Sequence, residues 1–143
     1  MAAYNEIKMI KTLIGKLKYG SDLLEQLTEI CRSNNTRLGR IEAIGAAKKA
    51  RLGYYDQQKR QYKTLDIDRP MEITSLIGNI SLRDGEPMVH AHLTLADSDG
   101  TCYGGHLQPG TIVFAGEFVI DAREGPQLDR SFDDQTGLAL WEI

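Results

Sequence analysis

Three histidines are all that the chain has, and they sit close together, as His90-Ala91-His92 and, a few residues on, Gly104-Gly105-His106. In an extended strand, residues two apart point the same way, so His90 and His92 share a face. The residues between and around them, Val89, Ala91, Leu93 and Leu95, form the apolar face. Met88, His90, His92 and Thr94 therefore lie on the other side. Neutral imidazoles gathered from neighbouring strands make a facial set for Zn²⁺ or a similar divalent metal, with a further position open. The competing reading is three surface or interface histidines that hydrogen-bond their neighbours.

Whether His106 joins the pair depends on one turn. Asp97-Ser98-Asp99-Gly100 separates the two segments. If Ser98-Asp99-Gly100 is the loop, with Gly100 left-handed, Asp97 pairs with Thr101 and His92 falls opposite His106. A loop one residue shorter or longer sends His106 to the other face. Gly104 and Gly105 keep the surroundings of His106 free of side chains. Glu117, on a non-core face of its own strand, is the candidate fourth ligand or supporting carboxylate. Cys102 lies four residues along the strand from His106, ~13 Å at about 3.3 Å per residue, which is too far to share an ion.

The elements that must carry these residues are mostly strands. Residues 6–17 interleave β-branched and apolar residues with lysines and read as a strand. Gly20-Ser21-Asp22 breaks it, with Ser21 as N-cap and Asp22 at the positive end of a helix dipole. Leu23, Leu24, Leu27, Ile30 and Cys31 follow at helical spacing, and Ser33-Asn34-Asn35 ends the helix. From Arg37 to Lys63 the pattern is strands around a turn. The run Gly45-Ala46-Ala47 is small enough to let another backbone come close. Residues 71–82 form a strand after Pro70, and Arg83 to Pro87 form a turn. Residues 111–121 form another, with Ile112, Phe114, Phe118 and Ile120 expected on one face. A polar loop follows, and Thr136 to Ile143 is the last short strand. Hairpin-length connections and one helix predict an α+β fold, a largely antiparallel sheet with a packed helix, in a single domain over residues 1–143.

Composition bounds the function. The chain has 143 residues, 41% hydrophobic and 26% charged, as in ordinary globular domains. No apolar run reaches the ~20 residues of a membrane span. The polar start, Met1 to Glu6, has no apolar signal core, which predicts a cytoplasmic protein without a membrane partner. Cys31 and Cys102 lack metal-type spacing and are expected as reduced thiols. The net charge of −3 hides an asymmetry: Arg37, Arg40, Lys48, Lys49, Arg51, Lys59, Arg60 and Lys63 cluster in the middle third, and the last half is acidic. Arg40, Lys48, Lys49 and Arg51 are the candidate contacts to a nucleic acid or an acidic partner; the plainer reading is a solvated face.

The stretch Glu72 to Gly85, with Ile-Gly-Asn-Ile-Ser-Leu-Arg-Asp-Gly at its end, then His90-Ala-His92, Asp99-Gly100 and Gly104-Gly-His-Leu-Gln-Pro-Gly110 resembles the plants-and-prokaryotes-conserved (PPC) domain. So do Gly20-Ser-Asp-Leu-Leu and Asp133 to Leu138. The likeness runs through nearly the whole chain. It implies an antiparallel sheet with a flanking helix, assembly as a homotrimer, and kinship with the stand-alone prokaryotic members, in which histidines of this kind are typical. In plants the domain accompanies AT hooks in nuclear DNA-binding regulators. The Arg-Gly-Arg-Pro core of an AT hook is absent here. Gly39-Arg40-Ile41-Glu42 resembles the partner-contact segment of the plant proteins, with Ile in place of Phe.

Three functions follow as expectations. The first is a non-enzymatic trimeric binding module with a zinc-like metal at His90, His92 and His106, with a regulatory or DNA-associated role. The second is a metal-dependent enzyme that uses the open position; no Ser-His-Asp or Cys-His set and no phosphate-binding glycine loop accompanies it. The third is a DNA-binding protein acting through residues 37–63.

Overall fold

The structure, a computed structural model, describes all residues from Met1 to Ile143. Strand β1 (Lys8–Lys16) leads into helix α1 (Leu23–Ser33). Then come β2 (Gly39–Asp56), β3 (Gln61–Ile67), β4 (Met71–Arg83), β5 (Glu86–Ala96), β6 (Cys102–Leu107), β7 (Ile112–Glu124), β8 (Arg130–Asp133) and β9 (Leu138–Trp141). The fold is the expected α+β type: a mostly antiparallel sheet and one short helix. The main sheet runs β1-β7-β2-β4-β5-β6, with β3 on β2, while β8 and β9 form a separate hairpin.

The long strand β2 organises the sheet. Its first half lies between β4, with Ile41 opposite Gly78, and β7, with Ile41 opposite Ile120. Its second half pairs with β3 and also meets β6, at Leu52↔Leu107 and Gly53↔His106. The sheet thus closes on itself from β2 through β4, β5 and β6 back to β2. Gly45 marks the bend: its φ is 151°, and a Cβ there would overlap the Ala115 carbonyl oxygen. The close backbone approach read from Gly45-Ala46-Ala47 is made by β7.

Inside lies one apolar core. Leu23, Leu27 and Cys31 of α1 meet Ile41, Leu52, Leu76, Ile80, Leu93, Leu95, Leu107 and Ile120 of the sheet. Burial of this kind is the main stabilising term. It also lifts the Cys31 thiol to about 12, so that sulfur stays protonated and unreactive.

Three expectations need correction. The N-cap is Asp22, not Ser21: its Oδ1 accepts from the Glu25 amide at 3.1 Å and its Oδ2 from the Gly110 amide at 2.6 Å. Ser21 instead bonds Gln26 Oε1 at 2.7 Å. In β7, Val113 is buried and Phe114 exposed. Register shifts against β2 between Ala46 and Lys49 change the inward phase before Phe118 and Ile120. Finally, Arg130 to Asp133 is a strand rather than part of a polar loop, paired with β9 from Arg130↔Trp141 to Asp133↔Leu138. No helix is long and apolar enough to cross a membrane.

Candidate metal centre

The decisive turn forms with the expected loop. Gly100 is left-handed at φ 78°, its amide bonds the Asp97 carbonyl at 3.0 Å, and the Asp97 amide bonds the Thr101 carbonyl at 3.0 Å. Asp97 Oδ1 accepts from the Asp99 and Thr101 amides, which locks the loop length. The register that results is Leu95↔Tyr103, Leu93↔Gly105 and His92↔His106. His90, two residues back on the same face, completes the group.

The three rings meet. Centroids lie 5.4 Å apart for His90–His92, 5.0 Å for His90–His106 and 5.5 Å for His92–His106. One nitrogen from each lies within 4.8 Å of the others. His92 is exposed, and the other two are partly buried.

Glycines set the backbone beneath them. A Cβ on Gly78, which lies opposite Ala91, would strike the His90 carbonyl and the Ala91 Cβ. A Cβ on Gly105 would lie 2.8 Å from the Gly53 carbonyl oxygen, so that glycine lets β6 reach β2 rather than clearing the histidines themselves.

Electrostatics favour the neutral form of two rings, His90 and His106. Burial pushes His90 down to about 4, helped by the Arg130 guanidinium and then by His106 and His92. His106 is likewise lowered, by burial first and then by His92 and Arg130. Neutral imidazole is the form that ligates a metal. Nδ1 of His106 is buried with no hydrogen-bond partner, an unsatisfied state that native interiors rarely tolerate. Three converging imidazole donors fit a zinc-like divalent ion. With bonds of ~2.0–2.1 Å, such an ion would draw the rings closer together.

The sequence reading missed two neighbours. Tyr62 of β3 stacks on His106 with centroids 5.1 Å apart, and Tyr55 lies 5.2 Å beyond it. Arg130 of β8 brings Nη2 to 3.4 Å from His90 Nδ1 and 3.0 Å from Asn79 Oδ1. The only hint of Arg130 is the turn signature Asp133 to Gly137 in the following hairpin, where Asp133 accepts from the Thr136 amide and hydroxyl.

Glu117 does not belong to the centre. It sits on β7 opposite Ile44 and Lys16, and β2 and β4 stand between β7 and β5. Three strand spacings of about 4.8 Å put it ~14 Å away laterally. Glu117 instead borders an exposed apolar patch formed by Ile14, Ile44, Ile77 and Val119.

Nor do the four candidate contacts, Arg40, Lys48, Lys49 and Arg51, form an open cationic face. Arg40 pairs with Glu42, and Arg51 with Asp66 at 2.7 Å. Lys48 sits over the Tyr19 ring, 5.0 Å from its centroid. Lys49 lines a hollow that also holds Asp66 and Asp68.

Comparison with known proteins agrees with this architecture. A metal-containing protein from Archaeoglobus fulgidus superposes with a TM-score of 0.95 at 39% identity, covering 99% of this chain and 100% of the other. A plant- and prokaryote-conserved (PPC) protein from Pyrococcus horikoshii gives 0.93 at 33% identity, covering 99% and 98%. A protein from Bacteroides thetaiotaomicron, described as a candidate DNA-binding protein, gives 0.85 at 26% identity, covering 96% and 98%. Among curated sequences, the bifunctional protein GlmU of a Synechococcus strain is 32% identical over 120 residues. That stretch is 82% of this chain but only 18% of GlmU, so the chain spans less than a fifth of that relative's length. The model of the Plants and Prokaryotes Conserved (PCC) domain, the PPC family under its other abbreviation, matches residues 4–122, and the chain belongs to that family.

Proposed function

We propose that this PCC-domain chain is a metal-binding module: His90, His92 and His106 hold one divalent, zinc-like ion, in a protein that works as a homotrimer. The observation that carries the reading is the convergence of three imidazoles with a buried, partnerless His106 Nδ1. Support also comes from the Archaeoglobus fulgidus relative, which is named as metal-containing. A bound ion would supply a Lewis-acid position. The chain's own residues would position it: the β5–β6 turn sets the register, and Tyr62 covers the His106 ring. No carboxylate stands among these groups to serve as a general base, which favours binding over catalysis.

The exposed sheet face supports assembly. Ile14 of β1, Ile44 of β2 and Ile77 of β4 are 82%, 58% and 54% exposed, and with Val119 of β7, which lies between β1 and β2, they form an apolar surface of the kind that other subunits cover.

Elemental analysis of protein made without a histidine tag tests the metal. About one divalent ion per chain is expected, and His106→Ala or His90→Ala should lose it. Full metal content in either variant, or none in the wild type, overturns the reading. DNA association is the second reading, and the description of the Bacteroides thetaiotaomicron relative supports it. It requires that a gel-shift complex weaken when Lys48 and Lys49, which have no carboxylate ion pair, become Ala.

A further inference from the structure

Arg130 carries a charge that no carboxylate of the chain answers. Its Nε donates to Ser81 Oγ at 3.2 Å, Nη1 to the Ala139 carbonyl at 3.1 Å and Nη2 to Asn79 Oδ1 at 3.0 Å, with His90 Nδ1 at 3.4 Å. All four partners are neutral, and Arg130 takes part in none of the chain's ion pairs. Of its five N–H groups, one on Nη1 remains uncommitted. Burial, together with the nearby Arg83, makes its charge less comfortable than that of a free guanidinium. A partly buried cation held only by neutral acceptors favours the arrival of an anion. The divalent ion, which rests on the reading above, adds to the same positive excess.

This guanidinium lines a pocket of about 390 Å³ with Asn79, His90, Leu140, Trp141 and Ile143. Trp141 lies alongside, with the guanidinium carbon 5.2 Å from its ring centroid. The indole Nε1 is buried and has no acceptor within the chain. One end of the pocket is therefore cationic, with an uncommitted Arg130 N–H, and the rest is largely apolar and partly aromatic. We propose that this pocket binds a small organic anion: a carboxylate with a short apolar or aromatic body, its oxygens on Arg130 and its body against Leu140 and Trp141. The β8–β9 hairpin, which forms no part of the main sheet, thereby acts as the specificity element beside the three histidines.

Calorimetric titration at neutral pH, on both zinc-loaded and metal-free protein, tests this with benzoate, its neutral isostere benzamide, and inorganic phosphate. The expected result is one benzoate per chain, bound about tenfold or more tighter than benzamide, as a charge-assisted contact implies. Arg130→Gln should abolish that preference, and Arg130→Lys should retain part of it. Equal binding of benzoate and benzamide to the wild type overturns the proposal without recourse to any variant. So does an unchanged preference in Arg130→Gln protein. Phosphate binding tighter than benzoate rules out the organic carboxylate. Metal analysis of the same samples separates the two readings: chains that take up no zinc yet prefer benzoate through Arg130 uphold the anion pocket and sink the metal centre.

Discussion

His90 is a residue of the candidate centre whose chemistry departs far from its ordinary state. In the unfolded chain it takes up a proton near 6.5, while in the fold burial and Arg130 hold it off until about 4. Between those values the folded state binds fewer protons than the unfolded one. The stability that neutral His90 contributes is therefore complete above 6.5 and is lost as the pH falls towards 4. Metal-free protein should show a falling Tm across that interval, and His90→Gln, which does not titrate, should show a flatter slope; equal slopes would refute this account. His106 adds in the same direction. Because both rings resist protonation, the centre should hold its ion at a pH where a free histidine has begun to release one, which a pH series of zinc content would reveal.

At the scale of elements, one contact supports the fold and another the centre. Asp22 caps α1 and also ties down Gly110, which precedes β7. Asp22→Ala should cost about 1–2 kcal/mol in urea unfolding, the upper end because two amides lose their acceptor. Gly78→Ala should act on the centre itself. Its methyl group would press on the His90 carbonyl, so a loss of about 1–3 kcal/mol should come with weaker zinc binding, whereas Asp22→Ala should leave zinc binding unchanged. The alternation in β5 and the turn at Asp97 to Gly100 made the pairing of His92 with His106 legible in the sequence, because a period of two and a turn length together determine register. Arg130 and Tyr62 were not legible. Arg130 sits on a four-residue strand, too short for periodicity to show. Tyr62 reaches His106 only because β2 bends to meet both β3 and β6. Glu117 failed as a partner for a related reason: its outward-facing side could be read, but not the order of the strands that separates it from β5.

For the whole molecule, the exposed patch of Ile14, Ile44, Ile77 and Val119 is the feature that an isolated chain leaves unexplained. In the proposed trimer, a charge at its centre, Ile44→Glu, should shift sedimentation from three chains towards one of 16.0 kDa, with the β-rich circular dichroism unchanged. A trimer that survives this substitution would place the interface elsewhere. The course of β2 has a consequence for how the protein is made. Ile41 is synthesised early and finds Gly78 soon afterwards, but its other neighbour, Ile120, belongs to the last strand of the main sheet. Until β7 leaves the ribosome, the most central strand of the molecule has a bare edge, open to any other extended chain nearby. Nascent chains halted before Ile112 should therefore be the form most dependent on chaperones, and most ready to aggregate.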